Sequence, residues 1–287
     1  MALCLFGILF AMMAAGIPIA VSLGMAVILS LLATGSNLSL MIVPQRMFTS
    51  LDSFPFTAIP FFILSGAIME KAGIAERLVD FVKECVGAST GGLAIGAILV
   101  ATFWGAISGS GPATVAVLGV ILIPGMVKTG YDKAFATSVI SVASGIAIII
   151  PPSISFIVYA GITGVSVGAI FAAGIVPGLV MSFCLCVSAW LTSRKNGWKG
   201  EPRQGNFLTA LRKAFWALMS PVIILGGIYG GVFTPTEAAA VSIFYGLFVG
   251  VVVYRSITWK IFYELLDFSA RTSAVVMILI GMGGLYA

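Results

Sequence analysis

The sequence contains no histidine, only four cysteines, and a charge on just 9% of its residues. Without histidine, and with Cys4, Cys85, Cys184 and Cys186 in no metal-ligand spacing, a zinc site is not expected. Each cysteine sits in or beside apolar sequence, so a disulfide framework is not expected either. Walker, dinucleotide and catalytic-triad signatures are all missing, which gives no support for ATP hydrolysis or for an enzyme. The net charge of +5 invites a nucleic-acid reading. The basic residues, however, fall in short loops between apolar runs, where membrane topology explains them better, and no nucleic-acid partner is expected.

What is abundant is apolar sequence. The 287 residues are 60% hydrophobic, with a mean hydropathy of +1.15, whereas a soluble domain carries charge on about one quarter of its residues. Uncharged runs cover Met1–Gln45, Cys85–Val127, Ala134–Ser193, Ala214–Thr236, Ala238–Tyr254 and Thr272–Ala287. A membrane span needs about 20 residues. The fold class is therefore all-α, a polytopic membrane protein. Met1–Leu32 lacks a basic leader and is too long for a signal-peptide core, so it is read as a first span.

The segment Ser193–Lys213 holds six Lys or Arg against the single Glu201 and is placed on the cytoplasmic side. Ala134–Ser193 is long enough for two spans, which returns Tyr131–Lys133 to the same side. Cys85–Val127 then begins and ends there, either as two cramped spans or as a re-entrant helical hairpin; the residue pattern fits both. Gly91, Gly92, Gly96, Gly105 and Gly109 favour close helix contact in either geometry. Glu70–Glu84 has apolar and charged residues at helical spacing, as an interfacial helix or a helix extension. Phe54–Met69, with Pro55 and Pro60, reads as a kinked or tilted span, and Phe54, Phe56, Phe61 and Phe62 as lipid-facing packing. After the basic segment the chain crosses at Ala214–Thr236, returns to Arg255, and crosses again from Thr272. It stops inside that span at Ala287, as a fragment would.

Two segments break helices without bringing charge: ISGSGPAT (Ile107–Thr114) and IIIPPSIS (Ile148–Ser155). Pro151 and Pro152 lack amide protons, which frees upstream carbonyls. With the hydroxyls of Ser108, Ser110, Thr114, Ser153 and Ser155, such carbonyls make an oxygen-lined cage suited to Na⁺, while helix N-termini attract an anion. The competing account is that Gly, Ser and Pro serve only packing and kinks, with hydroxyls bonded to the preceding turn. In GGIYGGVFTPTEAAAV (Gly226–Val241), Thr236 is placed to cap a helix beginning near Glu237, with a gating or intersubunit role for this pair as the alternative. Arg46 reads as an interfacial anchor before a substrate clamp, and Asp52 as a surface residue.

Four ordered strings strongly resemble the large membrane subunit (DctM type) of tripartite ATP-independent periplasmic transporters. They are IPFFILSGAIMEKAGIAERLVDF (Ile59–Phe81), GGLAIGAILVATFWGAISGSGPATVAVLG (Gly91–Gly119), IIIPPSISFIVYAGITGVSVGAIFAAGIVPG (Ile148–Gly178) and GGIYGGVFTPTEAAAV. The resemblance runs over nearly the whole chain. It implies a Na⁺-driven secondary transporter of organic acids, such as a C4-dicarboxylate or sialic acid, in the bacterial inner membrane and surrounded by its lipid. It also implies a small membrane subunit and a periplasmic solute-binding protein as partners. The implied fold is an elevator with re-entrant hairpins and discontinuous helices. By similarity, 1–84 and 214–287 are scaffold, the latter with the start of a second repeat; 193–213 is a cytoplasmic connection. Residues 85–192 form the first transport unit, with a hairpin at about 88–127 and a broken helix at about 134–160. The second inverted repeat is expected to be incomplete.

The resemblance places Na⁺ at Ser108, Gly109, Ser110, Ala143, Ser144, Gly145, Pro151 and Ser153, and substrate at Ser110, Thr114, Ser153 and Ser155. A channel, or a non-transporting scaffold subunit, is the alternative function.

Overall fold

The computed structural model describes residues 2–35, 39–200 and 206–286. Part of the basic connection expected at 193–213, including Glu201 and Arg203, lies outside the described residues, as does Ala287. Among the described residues the only β pairing is an isolated bridge between Thr90 and Lys199, and everything else regular is helical.

The N-terminal apolar run forms two helices, not the single span expected. These are α1 (Ala2–Ala14) and α2 (Ile19–Ala33), packed on each other. Gly16, at φ 80°, and Pro18, directly before α2, interrupt the run. Next, α3 (Ile42–Leu51) is bent by 70° from a unit made of a 3₁₀ turn (Phe54–Thr57) and α4 (Ala58–Lys71). Pro55 and Pro60 sit in first turns, where an amide proton would have no helical partner, so they start helices and do not kink one. Phe54 and Phe61 face outward as expected. Phe56 and Phe62 do not: both are 2% exposed and pack in the interior with Ile59, Ile157 and Phe171.

The amphipathic segment is a separate helix, α5 (Ile74–Val86), set off from α4 by Gly73 at φ 73°. It buries Ile74, Leu78, Val79 and Val82 and exposes Glu76 and Asp80. There follow α6 (Gly92–Ser108) and α7 (Gly111–Lys128), a hairpin joined by two residues. Then come α8 (Lys133–Ala143), the short α9 (Ile146–Ile149) and α10 (Ile154–Thr163), three pieces of one interrupted apolar stretch, and the long α11 (Val167–Asn196).

The C-terminal third comprises α12 (Phe207–Tyr229), α13 (Pro235–Leu247) continuing into a π-helical turn (Phe248–Val253), and α14 (Trp259–Gly283). The last helix begins well before the expected Thr272. Along its first turns Lys260, Glu264, Asp267 and Arg271 recur at helical spacing, and Arg271 Nε pairs with Asp267 Oδ2 at 2.8 Å, so charge is carried on one exposed face of a helix and does not end it. By length and composition six helical segments among the described residues are able to cross a membrane: 111–128, 133–163, 167–196, 207–229, 235–253 and 259–286. The bent pair 42–51 and 54–71 makes a seventh if it counts as one span.

The largest apolar cluster gathers α4 to α9 with parts of α11 to α14 around the fully buried Trp104. At the open end of the hairpin, Gly91 N–H donates to Trp198 O (3.0 Å), Gly200 N–H donates to Ser89 O (2.9 Å), and the Trp198 ring lies 5.2 Å from Tyr131 and 4.9 Å from Phe135. This clasp ties the start of α6, the start of α8 and the end of α11 together.

One expected cap is corrected. Helix α13 begins at Pro235, and its cap is Thr234, not Thr236. Thr234 Oγ accepts from Glu237 N–H (3.3 Å), and Glu237 Oε2 accepts from Thr234 N–H (2.8 Å) and from the Thr234 hydroxyl (2.9 Å). Thr236 lies two residues inside the helix because Pro235, with φ fixed for helix and no amide proton, takes its first position. Thr234→Ala is expected to cost about 1 kcal/mol of stability, and Thr236→Ala to stay within about 0.5 kcal/mol. Denaturant midpoints of the two purified variants measure the difference.

Candidate helix-break site

The two charge-free breaks meet. A carbon added at Gly109, in the α6–α7 turn, would lie 2.5 Å from Pro152 O and 3.3 Å from Ser153 Cα. One turn earlier, a carbon at Gly105 would lie 2.5 Å from Ala147 Cα, and one at Gly111 would lie 3.3 Å from Ser144 O. Glycine thus permits a backbone-to-backbone approach along the whole tip. Lower down, Gly96 faces the side chain of Val82 and Gly91 the side chain of Ser193.

Each break closes one helix and opens another. Gly109, at φ 60°, caps α6 with its N–H on Gly105 O (2.9 Å), and Ser110 Oγ accepts from Ala113 N–H (3.4 Å) at the start of α7. On the other chain segment, Ser153 Oγ accepts from Phe156 N–H (3.4 Å) to start α10 and donates back to Ile148 O (2.5 Å) at the end of α9. Two helix C-termini and two helix N-termini therefore converge, with partial negative and partial positive charge side by side. None of the side chains at this junction is ionisable.

The hydroxyls are largely sequestered. Ser153 and Thr114 are fully buried and Ser108 and Ser144 nearly so. Thr114 Oγ1 donates to Ser110 O (2.8 Å) and lies 3.4 Å from Ser108 Oγ, while Ser144 Oγ donates to Ser141 O (2.7 Å). Pro151 is buried in the break. The hairpin tip, Ser144 and Pro152–Ser153 thus form one place. Gly145 turns toward Met181 of α11 (3.6 Å), Ala143 is buried in the apolar core, and Ser155 is exposed on the first turn of α10. Arg46 and Asp52 are both exposed, at and beside α3, and Glu237 is exposed on α13, which packs on α4 and α12.

The sequence reading missed α4. A carbon at Gly66 would lie 3.4 Å from Ser108 Cα, so α4 packs on the hairpin tip, and the neighbouring Ser65 hydroxyl is buried without a partner. The buried Trp104 indole N–H, one turn before Ser108, also lacks a partner. The Ser-Gly pair inside the apolar ILSGAIM string was the available signal. Among the described residues no three His, Cys, Asp or Glu side chains converge as a metal site.

Gly109→Ala places a side chain at positive φ and drives it into Pro152 O, and is expected to lower the unfolding midpoint by an equivalent of about 1–3 kcal/mol. Gly119→Ala, whose added carbon meets only Ile123 Cδ1 at 3.6 Å, is the control expected to leave it unchanged.

Comparison with known proteins agrees in extent with this architecture. The sequence model of the family described as "Tripartite ATP-independent periplasmic transporter, DctM component" matches residues 6–287. The isethionate TRAP transporter permease protein DctMQ of Oleidesulfovibrio alaskensis is 46% identical over 98% of this chain and 45% of its own length. The C4-dicarboxylate TRAP transporter large permease protein DctM of Rhodobacter capsulatus is 39% identical over 97% of the chain and 67% of its own length. The sialic acid TRAP transporter large permease protein SiaM of Vibrio cholerae is 37% identical over 96% and 64%. The chain spans about half to two thirds of the length of these relatives. With its model matched over almost every residue, and its break motifs folded against each other, the chain belongs to the DctM family of TRAP transporter large permease subunits, a family of multi-pass membrane transport proteins and not of enzymes.

Proposed function

We propose that this chain forms the first transport unit, and part of the scaffold, of a Na⁺-coupled importer of small organic anions in a bacterial inner membrane. The observation that carries the reading is the contact between Gly109 and Pro152–Ser153, which brings four helix ends to one uncharged spot. In hydrocarbon such ends are tolerable only where something satisfies them. A Na⁺ ion held by oxygens of Ser108–Ser110 and of the Ala143–Ser153 segment would do so from the C-terminal ends. An anionic substrate group at Ser110, Thr114 and Ser153 would answer the N-terminal ends of α7 and α10.

The relatives are named for isethionate, C4-dicarboxylate and sialic acid, which share an anionic head and little else. Recognition at the break is accordingly assigned to the anionic group, and discrimination among acids to a periplasmic solute-binding protein that works with this permease and a small membrane subunit. Residues 92–128 are read as re-entrant, and the block 85–192 as the body that moves past a scaffold of 1–84 and 214–287, with a second inverted unit completing the site. Ion and substrate bound together carry less unbalanced charge across the membrane than either alone, which is the physical basis of coupling.

Two measurements test this in proteoliposomes holding the complete transporter. Replacing external Na⁺ by choline is expected to abolish accumulation; persistence of accumulation overturns Na⁺ coupling. Ser108→Phe and Ser110→Phe are each expected to lower Na⁺-dependent uptake by at least about tenfold, about 1.4 kcal/mol, with assembly intact. Full uptake in both well-assembled variants overturns the placement of the site.

A further inference from the structure

The end of α13, its π-helical turn and the start of α14 enclose a concave groove of about 580 Å³. Its walls are Phe248, Val251, Val252, Ile257, Trp259 and Phe262. Thr258, the polar residue among its liners, is engaged in capping α14, its Oγ accepting from Ile261 N–H (3.4 Å). The groove is held open by a fixed turn. Arg255 takes φ 52°, Tyr254 N–H donates to Val249 O (2.8 Å), and Ser256 N–H donates to Gly250 O (2.8 Å).

Two exposed cations flank the segments that line this apolar groove. Arg255 lies in the turn between two groove-lining segments and Lys260 follows Trp259, and both are exposed. Tyr254 ties this turn to α12 and α5. Its hydroxyl donates to the Lys213 carbonyl (2.8 Å), and its ring lies 3.6 Å beneath the Arg77 guanidinium. Glu264, one turn beyond Lys260, is the nearest acid along α14. Trp259 is 77% exposed and Tyr263 67%, the side chains that settle at headgroup depth of a bilayer. An apolar trough beside two exposed cations, flanked by interfacial aromatics, matches a lipid tail joined to a phosphate.

We infer that this groove is a binding site for an anionic phospholipid, with one acyl chain along Val251, Val252 and Phe262 and the phosphate at Arg255 and Lys260. The site lies outside the helix-break junction and does not depend on the transport reading. A bound lipid there would fix the α13–α14 corner against α5 and α12 through the Arg77–Tyr254–Lys213 contacts.

Native mass spectrometry of the complete transporter, delipidated and offered equal phosphatidylglycerol and phosphatidylethanolamine, reads the preference. The wild type is expected to retain phosphatidylglycerol in excess. Arg255→Ala/Lys260→Ala is expected to reduce that excess by about fivefold per lost cation, the scale of one charge near an anionic surface. Val252→Trp, which fills the trough, is expected to remove the bound lipid. Equal retention of both lipids by the wild type, or undiminished phosphatidylglycerol in both variants, overturns the site.

A second measurement needs no variant that disturbs the groove walls by charge. Vesicles containing phosphatidylglycerol brominated on the acyl chain are expected to quench a fluorescence component that Trp259→Phe lacks, and brominated phosphatidylcholine is expected to quench it less. Equal quenching means ordinary boundary lipid, and no quenching means a protein segment covers the groove; either result overturns the proposal.

Discussion

The approach of two main chains without an intervening side chain, at Gly105 against Ala147 and Gly109 against Pro152, is the constraint on which this protein's interior is arranged. Helices normally keep their backbones apart by the thickness of their side chains. Here glycine removes that spacing at consecutive turns, so that a turn and a broken helix bring their ends, and not their flanks, into contact. Helix ends carry unsatisfied donors and acceptors, and placing four of them together concentrates dipoles where no ionisable residue is present. The helices around the junction enclose it. Trp104 fills the centre of the cluster beneath the tip, and α4 closes the side through Gly66.

Much of this was legible in the sequence because glycine, proline and serine in an uncharged apolar run have few alternatives. The breaks at Ser108–Pro112 and at Pro151–Pro152 were visible, as were the glycines that let α6 approach its neighbours. That the two breaks touch was not readable from spacing alone, since nothing local in either string names the other. The boundaries that went astray have separate causes. Charged residues are expected at helix ends, whereas α14 runs through Asp267 and Arg271 by pairing them on its surface. Pro235 displaced the cap of α13 by two residues, because a proline at the first helical position moves the capping role to the residue before it. Gly16 and Pro18 split an apolar run whose composition alone looked continuous.

The residues not foreseen, Ser65 and Gly66, lie in a segment that composition marks only as apolar. Their relevance is purely tertiary: Gly66 gains its place from Ser108, which is distant in sequence. A buried Ser65 hydroxyl and a buried Trp104 indole N–H, both without protein partners, leave donor capacity at the flank of the junction. Such capacity in an otherwise well-packed interior is the usual mark of a place where solvent or solute belongs.

The clasp at the other end of the hairpin has a mechanical corollary. Because Gly91 and Gly200 are hydrogen-bonded across to Trp198 and Ser89, and Trp198 is wedged against Tyr131 and Phe135, the roots of α6, α8 and α11 are splinted to one another. Rotation of any one root would shear those bonds and unstack the rings. Any rearrangement that keeps these bonds intact therefore displaces the three roots together.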